Sequence, residues 1–124
     1  MKIAICDDDI KIAEYIAYKI NEYNPNHSVE IFNNSDSLFS YLNNKESKVD
    51  LLFMDIVLDD ENGIDIASKI AESLPDILTV FITAFAEKFL KKSFLKLNLM
   101  VICTNRLKMM FFNITSILQN MILN

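Results

Sequence analysis

The chain has 124 residues, a size that fits one domain with a buried core, and is 52% hydrophobic and 23% charged. Its formal charge of −5 joins two unlike parts: residues 1–87 hold seventeen acids against six lysines, and residues 88–124 hold six cations and no acid, glycine or proline. Those cations are dispersed, so they read as the solvated face of a helix and not as a nucleic acid contact, while the uncharged end from Met109 falls short of the about 20 apolar residues a membrane span needs.

KIAIC (2–6) reads as the first strand, and the acids that follow it in MKIAICDDD come too soon for a signal peptide. Cys6 and Cys103 are too few and too far apart for a disulfide framework or a metal-ligand pattern, and both read as buried reduced thiols of a cytoplasmic protein. Ile12, Ala13, Ile16, Ile20 and Tyr23 then fall on one helical stripe. His27, the only histidine, precedes the strand SVEIF (28–32) and reads as a surface residue. SDSLFSYLNN (35–44) predicts a shorter helix with Ser35 as its N-cap. DLLFMDI (50–56) is a third strand, followed by turn chemistry at Asp59, Asp60 and Asn62-Gly63, with Gly63 expected to supply a positive φ. Ile64, Ala67, Ile70 and Leu74 form the next helical stripe, and ILTVFIT (77–83) the fourth strand. NLMVIC (98–103) is the expected fifth strand. Leu107, Met110, Phe111, Ile114, Ile117, Leu118 and Met121 have the period of a closing amphipathic helix. Strands one, three and four are apolar at nearly every residue, which predicts burial on both faces of a parallel sheet flanked by helices.

In such a sheet, ligands bind beyond the carboxyl ends of the strands. There the first strand ends in Asp7, Asp8 and Asp9, the third in Asp55, and the fourth in Thr83 and Ala84. If strands one and three are neighbours, Asp7, Asp8 and Asp55 converge, and their mutual repulsion requires a proton or a cation. Oxygen-only ligands in a small site favour Mg²⁺ or Mn²⁺. A carboxylate beside such an ion can act as a nucleophile towards phosphorus, and the Thr83 hydroxyl can donate to a phosphoryl oxygen. Asp9 alone is as well explained as a helix N-cap.

IAICDDD, LLFMDIVLDDENGIDIA and VFITAF together resemble the receiver domain of two-component response regulators, with wording most similar to receivers of LytTR-type regulators. The resemblance covers residues 1 to about 87 and leaves 88–124 as a divergent tail supplying the last strand and helix of a single domain, 1–124. It implies a doubly wound (βα)5 flavodoxin-like fold with a parallel five-stranded sheet in the order 2-1-3-4-5. It also implies Asp55 as phosphoacceptor, Asp8 as direct Mg²⁺ ligand, Asp7 as a metal-site residue, and the Val57 backbone carbonyl as a further ligand. Thr83 would be the switch hydroxyl and Ala84 the small residue beside the phosphoryl group. The implied partners are a sensor histidine kinase and a second copy of the chain; the implied role is a phosphorylation-controlled module and not an enzyme.

The family pattern continues with an aromatic switch residue and a Lys-Pro step, roughly GYLxKP, and the tail has neither. Arg106 and Lys108 are the cations nearest that place, but a guanidinium is not geometrically equivalent to an ammonium. Read from the third base of each codon, NLMVICTNRLK can encode PYGYLYKPIK, with the glycine forced by Met100-Val101. The expectation is one nucleotide lost upstream in an A-rich lysine run, with an early stop removing a DNA-binding output domain. The codons of the gene decide it. Two other readings stand beside this one: a degenerate receiver without signalling output, and a haloacid dehalogenase-type phosphatase built on Asp7 and Asp9, against which Lys11 stands where Thr or Val is expected.

Overall fold

The computed structural model describes residues 1–58, 60–83, 98–103 and 106–112. The chain runs β1 (Lys2–Cys6), α1 (Ile10–Tyr23), β2 (Ser28–Phe32), α2 (Ser35–Leu42), β3 (Leu51–Asp55), β4 (Val57–Leu58), β5 (Glu61–Asn62), α3 (Gly63–Ser73), β6 (Leu78–Thr83), β7 (Asn98–Cys103) and β8 (Arg106–Phe112). The main sheet has the order β2-β1-β3-β6-β7-β8, and β4 with β5 forms a separate two-stranded ribbon.

Alternation along the strands builds two cores. Ile3, Ile5, Leu51, Phe53, Val80 and Ile82 face Ile12, Ala13, Ile16 and Ile20 of α1. Ala4, Cys6, Leu52, Met54 and Phe81 face the other way, onto Leu38 and Leu42 of α2 and Ile66, Ala67 and Ile70 of α3. Successive strand residues point to opposite faces, so unbroken apolar runs are needed where helices cover both sides. Each fully buried aliphatic or Phe side chain contributes about 1.5–3 kcal/mol, which makes these layers, not the caps, the main source of stability. Cys6 is among the buried residues, as its apolar surroundings predict. Among the described residues, no helix is long and apolar enough to cross a membrane.

Both long helices stop for the same reason. Asn24 precedes Pro25 and is extended at φ −156°, ψ 108°; Leu74 precedes Pro75 at φ −132°, ψ 70°. A residue before proline is pushed out of the helical region. At the other end of α1, Asp9 is the cap: its Oδ1 accepts the Lys11 N–H at 3.0 Å. The cap of α2 is Asn34 and not Ser35, because Asn34 Oδ1 accepts the Ser37 N–H at 2.8 Å while the Ser35 hydroxyl is turned to Glu61. Asn34→Ala should lower stability by about 1 kcal/mol, read as a lower denaturant midpoint at unchanged slope; an unchanged midpoint would contradict the assignment.

The core stripe of α3 is Gly63, Ile66, Ala67 and Ile70. Ile64, expected inside, is 40% exposed, one residue round the helix from Gly63. His27 is half-buried and not simply on the surface: its Nδ1 lies 3.0 Å from the Met1 ammonium, and burial first, then that charge, lowers its pKa.

Beyond β6 the architecture departs from a wholly parallel sheet. β7 takes the expected place beside β6 but runs antiparallel to it, Thr83 opposite Asn98 and Thr79 opposite Ile102. β8 pairs antiparallel with β7 where a helix from Leu107 was expected. An apolar run such as NLMVIC satisfies a ladder in either direction, so its composition does not encode orientation. RLKMMFF is continuously apolar from Met109, and only two residues separate it from β7, a connection that suits antiparallel neighbours and is too short for a crossover. The remainder of the expected closing helix lies outside the described residues.

Candidate acid pocket at the carboxyl ends of the strands

β1 and β3 are adjacent and parallel, with Cys6 opposite Met54, so the residues that follow them, Asp7 and Asp8, come beside Asp55. Carboxylate oxygens of Asp7, Asp8 and Asp55 all lie within 4.8 Å of one another. Asp7 is only 1% exposed. Its N–H donates to Phe32 O at 3.0 Å, and its Oδ1 accepts the Asp9 N–H at 2.9 Å. Its Oδ2 is buried without a hydrogen-bond partner. Asp55 is half-buried, and its Oδ1 accepts the Val57 N–H at 3.1 Å.

Removal from water is the first cause that raises the carboxyls of both Asp7 and Asp55; Asp7, raised further by Asp55 and Asp8, is pushed up to about 8, while Asp55 is raised further by Asp8 and held back by the Val57 N–H and by Asp7. An orphaned buried carboxylate oxygen within a triangle of hard oxygen donors fits a small divalent cation such as Mg²⁺ or Mn²⁺. In the absence of one, the raised Asp7 carboxyl is the group whose protonation relieves the repulsion.

The sign of the pH dependence follows. Asp7 rises from an ordinary 3.8 to about 8, so between these values the folded protein binds more protons than the unfolded chain. Stability in chelator should therefore fall as pH rises from about 4 to about 8, by on the order of 2 kcal/mol once solvent screening at an open mouth is allowed for. A divalent cation at tenfold its Kd should return about 1.4 kcal/mol. Thermal melts across this range, with and without Mg²⁺, measure both; a flat profile in chelator would contradict the assignment.

Gly63 fixes the third strand's end. Its N–H donates to Ile56 O at 2.7 Å. A Cβ at this position would overlap Asp55 O and come within 2.8 Å of Asp55 C and 3.0 Å of Ile56 Cα. The expected positive φ is absent; glycine is required here by close backbone approach. Asn62 caps α3, its Oδ1 accepting the Ile64 N–H at 2.8 Å.

The structure brings Asp7, Asp8 and Asp55 together and sets the Val57 N–H on Asp55, and the backbone of Thr83 follows Ile82, the partner of Asp55 in the register. Ala84 and Asp59 lie outside the described residues. Arg106 is not at this end: it pairs with Cys103, while Thr79, opposite Ile102, is four residues from Thr83 along β6. At about 3.3 Å per residue that is roughly 13 Å of strand. Lys108 lies near the same far end, before Met109, which pairs with Ile102.

The sequence pattern of the response regulator receiver domain matches residues 3–108. The chain belongs to the response regulator receiver family. The receiver is 31% identical over 91 residues to the sensory transduction protein LytT of Bacillus subtilis, covering 73% of this chain and 37% of LytT. It is 29% identical over 85 residues to the sensory transduction protein LytR of Streptococcus agalactiae, covering 68% and 35%. The chain thus spans little more than a third of these relatives. A CheY-like receiver domain protein from Methanospirillum hungatei superposes with a TM-score of 0.56 at 25% identity, covering 64% of this chain and 61% of that one. The receiver therefore has the α/β flavodoxin-like fold, and it is a receiver domain of two-component response regulators.

Sequence reading missed Glu61, whose carboxylate meets the Ser35 hydroxyl. The two are 26 residues apart, and no local pattern announces the pairing.

Proposed function

We propose that Asp55 accepts a phosphoryl group from a phosphohistidine of a sensor histidine kinase, in a single domain spanning the chain and acting in the cytoplasm as a phosphorylation-controlled module and not as a turnover enzyme. The observation that carries this reading is the convergence of Asp7, Asp8 and Asp55 around a buried, unpartnered oxygen at the strand ends. Asp7, Asp8, Asp55 and the Val57 carbonyl would hold Mg²⁺ or Mn²⁺. Bound there, the cation supplies positive charge that offsets the incoming phosphoryl oxygens.

The rest is done by the chain itself. The Val57 N–H fixes the plane of the Asp55 carboxylate. One Asp55 oxygen attacks phosphorus, the bond from phosphorus to the imidazole nitrogen breaks, and the nitrogen departs with the electron pair. Thr83 would donate its hydroxyl to the transferred group from the end of β6. Ile10, Val57 and Ile64 are large exposed apolar residues, 51%, 68% and 40% accessible; Ile10 comes two residues after Asp8, Val57 two after Asp55, and Ile64 follows the Gly63 that presses on Asp55. They support a partner protein that covers the mouth during transfer. Asp9 is engaged as the α1 cap, which speaks against its use as the acid of a phosphatase.

Incubation with Mg²⁺ and a small phosphoryl donor should add the mass of one phosphoryl group, labile to hydroxylamine. Wild-type protein that stays unlabelled would sink the reading.

The placement of Arg106 favours a second, narrower reading of output. With that cation at the far end of β7, nothing among the described residues supplies the lysine that relays phosphorylation in the family. Phosphorylated protein should therefore keep the elution volume of the unphosphorylated form in size-exclusion chromatography. A phosphorylation-dependent shift to dimer would overturn this.

A further inference from the structure

A further carboxylate stands at the rim of the acid pocket with a partner of its own. The Ser35 hydroxyl is 2.7 Å from Oε1 and 2.9 Å from Oε2 of Glu61. Ser35 is 4% exposed, so a hydroxyl withdrawn from water steadies an otherwise exposed acid. The clasp joins two walls of the pocket. On one side Asn34, which precedes Ser35, receives the Cys6 thiol on its carbonyl at 3.7 Å. On the other, Glu61 pairs with Leu58 across the β4–β5 ribbon, whose Val57 N–H holds Asp55.

Glu61 is not one of the three acids whose oxygens converge, but both segments it ties together border them: Asn34 through the thiol of Cys6, which precedes Asp7, and the ribbon through the Val57 N–H on Asp55. A fixed negative charge in this position meets every approaching anion, and its reach is shortened by salt.

We propose that Glu61, steadied by Ser35, selects among phosphoryl donors: it opposes small dianionic donors and favours donors whose leaving group carries positive charge, as a protein-borne phosphohistidine does. This rests on Asp55 as the phosphoacceptor. With acetyl phosphate, a dianion, an Asp55 oxygen attacks phosphorus, the P–O bond to the acetyl group breaks, and acetate leaves with the electron pair. With zwitterionic phosphoramidate, a net monoanion, the P–N bond breaks and the protonated nitrogen leaves as ammonia.

The test compares labelling rates with these two donors in Mg²⁺ for wild type, Glu61→Gln and Ser35→Ala. Glutamine retains an acceptor for the Ser35 hydroxyl and removes only the charge. Glu61→Gln should speed labelling by acetyl phosphate about three- to tenfold, and by phosphoramidate less than half as much. Ser35→Ala, which keeps the charge but frees it, should fall between. Raising the salt on wild type should shift the donor ratio the same way, which tests the idea even if a variant folds poorly. Mn²⁺ affinity, measured without any donor, should fall about threefold in Glu61→Gln. A donor ratio unmoved by both the substitution and salt overturns the selectivity role and leaves Asp55 untouched. A wild-type protein that labels with neither donor overturns the role of Asp55, and this inference with it.

Discussion

Asp55→Asn is expected to abolish phosphoryl labelling, by roughly a thousandfold or more, and to leave the protein at least as stable as wild type. An amide lacks the negative oxygen needed to attack phosphorus. It keeps an oxygen for the Val57 N–H, which lies 3.1 Å from Oδ1 in the wild type. Burial raises the Asp55 carboxyl, so its ionised form is disfavoured in the fold, and a neutral isostere removes that strain at neutral pH. Melting in chelator should thus be unchanged or higher, while Mg²⁺ should stabilise the variant less than wild type. Labelling that survives the substitution would place the acceptor elsewhere. A collapse in stability would mean that the charge at Asp55 supports the fold.

Gly63→Ala should be the most damaging small substitution near the site. The added methyl would occupy the space of Asp55 O, with Asp55 C at 2.8 Å and Ile56 Cα at 3.0 Å, and all three are backbone atoms that cannot rotate away. Either α3 withdraws from the end of β3, losing the Gly63 N–H to Ile56 O bond, or the Asp55 peptide turns. Destabilisation of about 3 kcal/mol is expected, equivalent to a fall in Tm of roughly 15 °C for a domain near this size. Labelling should fall as well, because the residue displaced is the proposed acceptor, Asp55. A wild-type melt for Gly63→Ala would show that α3 does not press on Asp55.

What could be read from the sequence, and what could not, divides along physical lines. Unbroken apolar runs such as LLFMD declare burial on both faces, and an acid closing such a run declares a strand end at a polar site. The Asp7, Asp8 and Asp55 cluster was legible for that reason. Capping was half legible: Asp9 is the cap of α1, but in α2 adjacent Asn34 and Ser35 compete, and only the tertiary partner Glu61 decides between them. Gly63 declared itself as special, yet the cause is crowding by Asp55 and not a turn angle. Strand direction was not legible at NLMVIC, since hydrophobicity is the same read either way along a chain. The periodic spacing in RLKMMFF was outweighed by a continuous apolar run and a two-residue connection.

The reversal of β7 divides the sheet into a parallel part that carries the acid pocket and an antiparallel part beyond it. Every acid of the pocket, and the glycine that braces it, is supplied by the chain up to Gly63, whereas the strands beyond β6 enter the sheet with the opposite polarity. If Asp55 is the acceptor, the group it receives would be held entirely by residues that precede the reversed strands, so a change at the pocket would have to cross from parallel to antiparallel pairing to reach the far edge of the sheet.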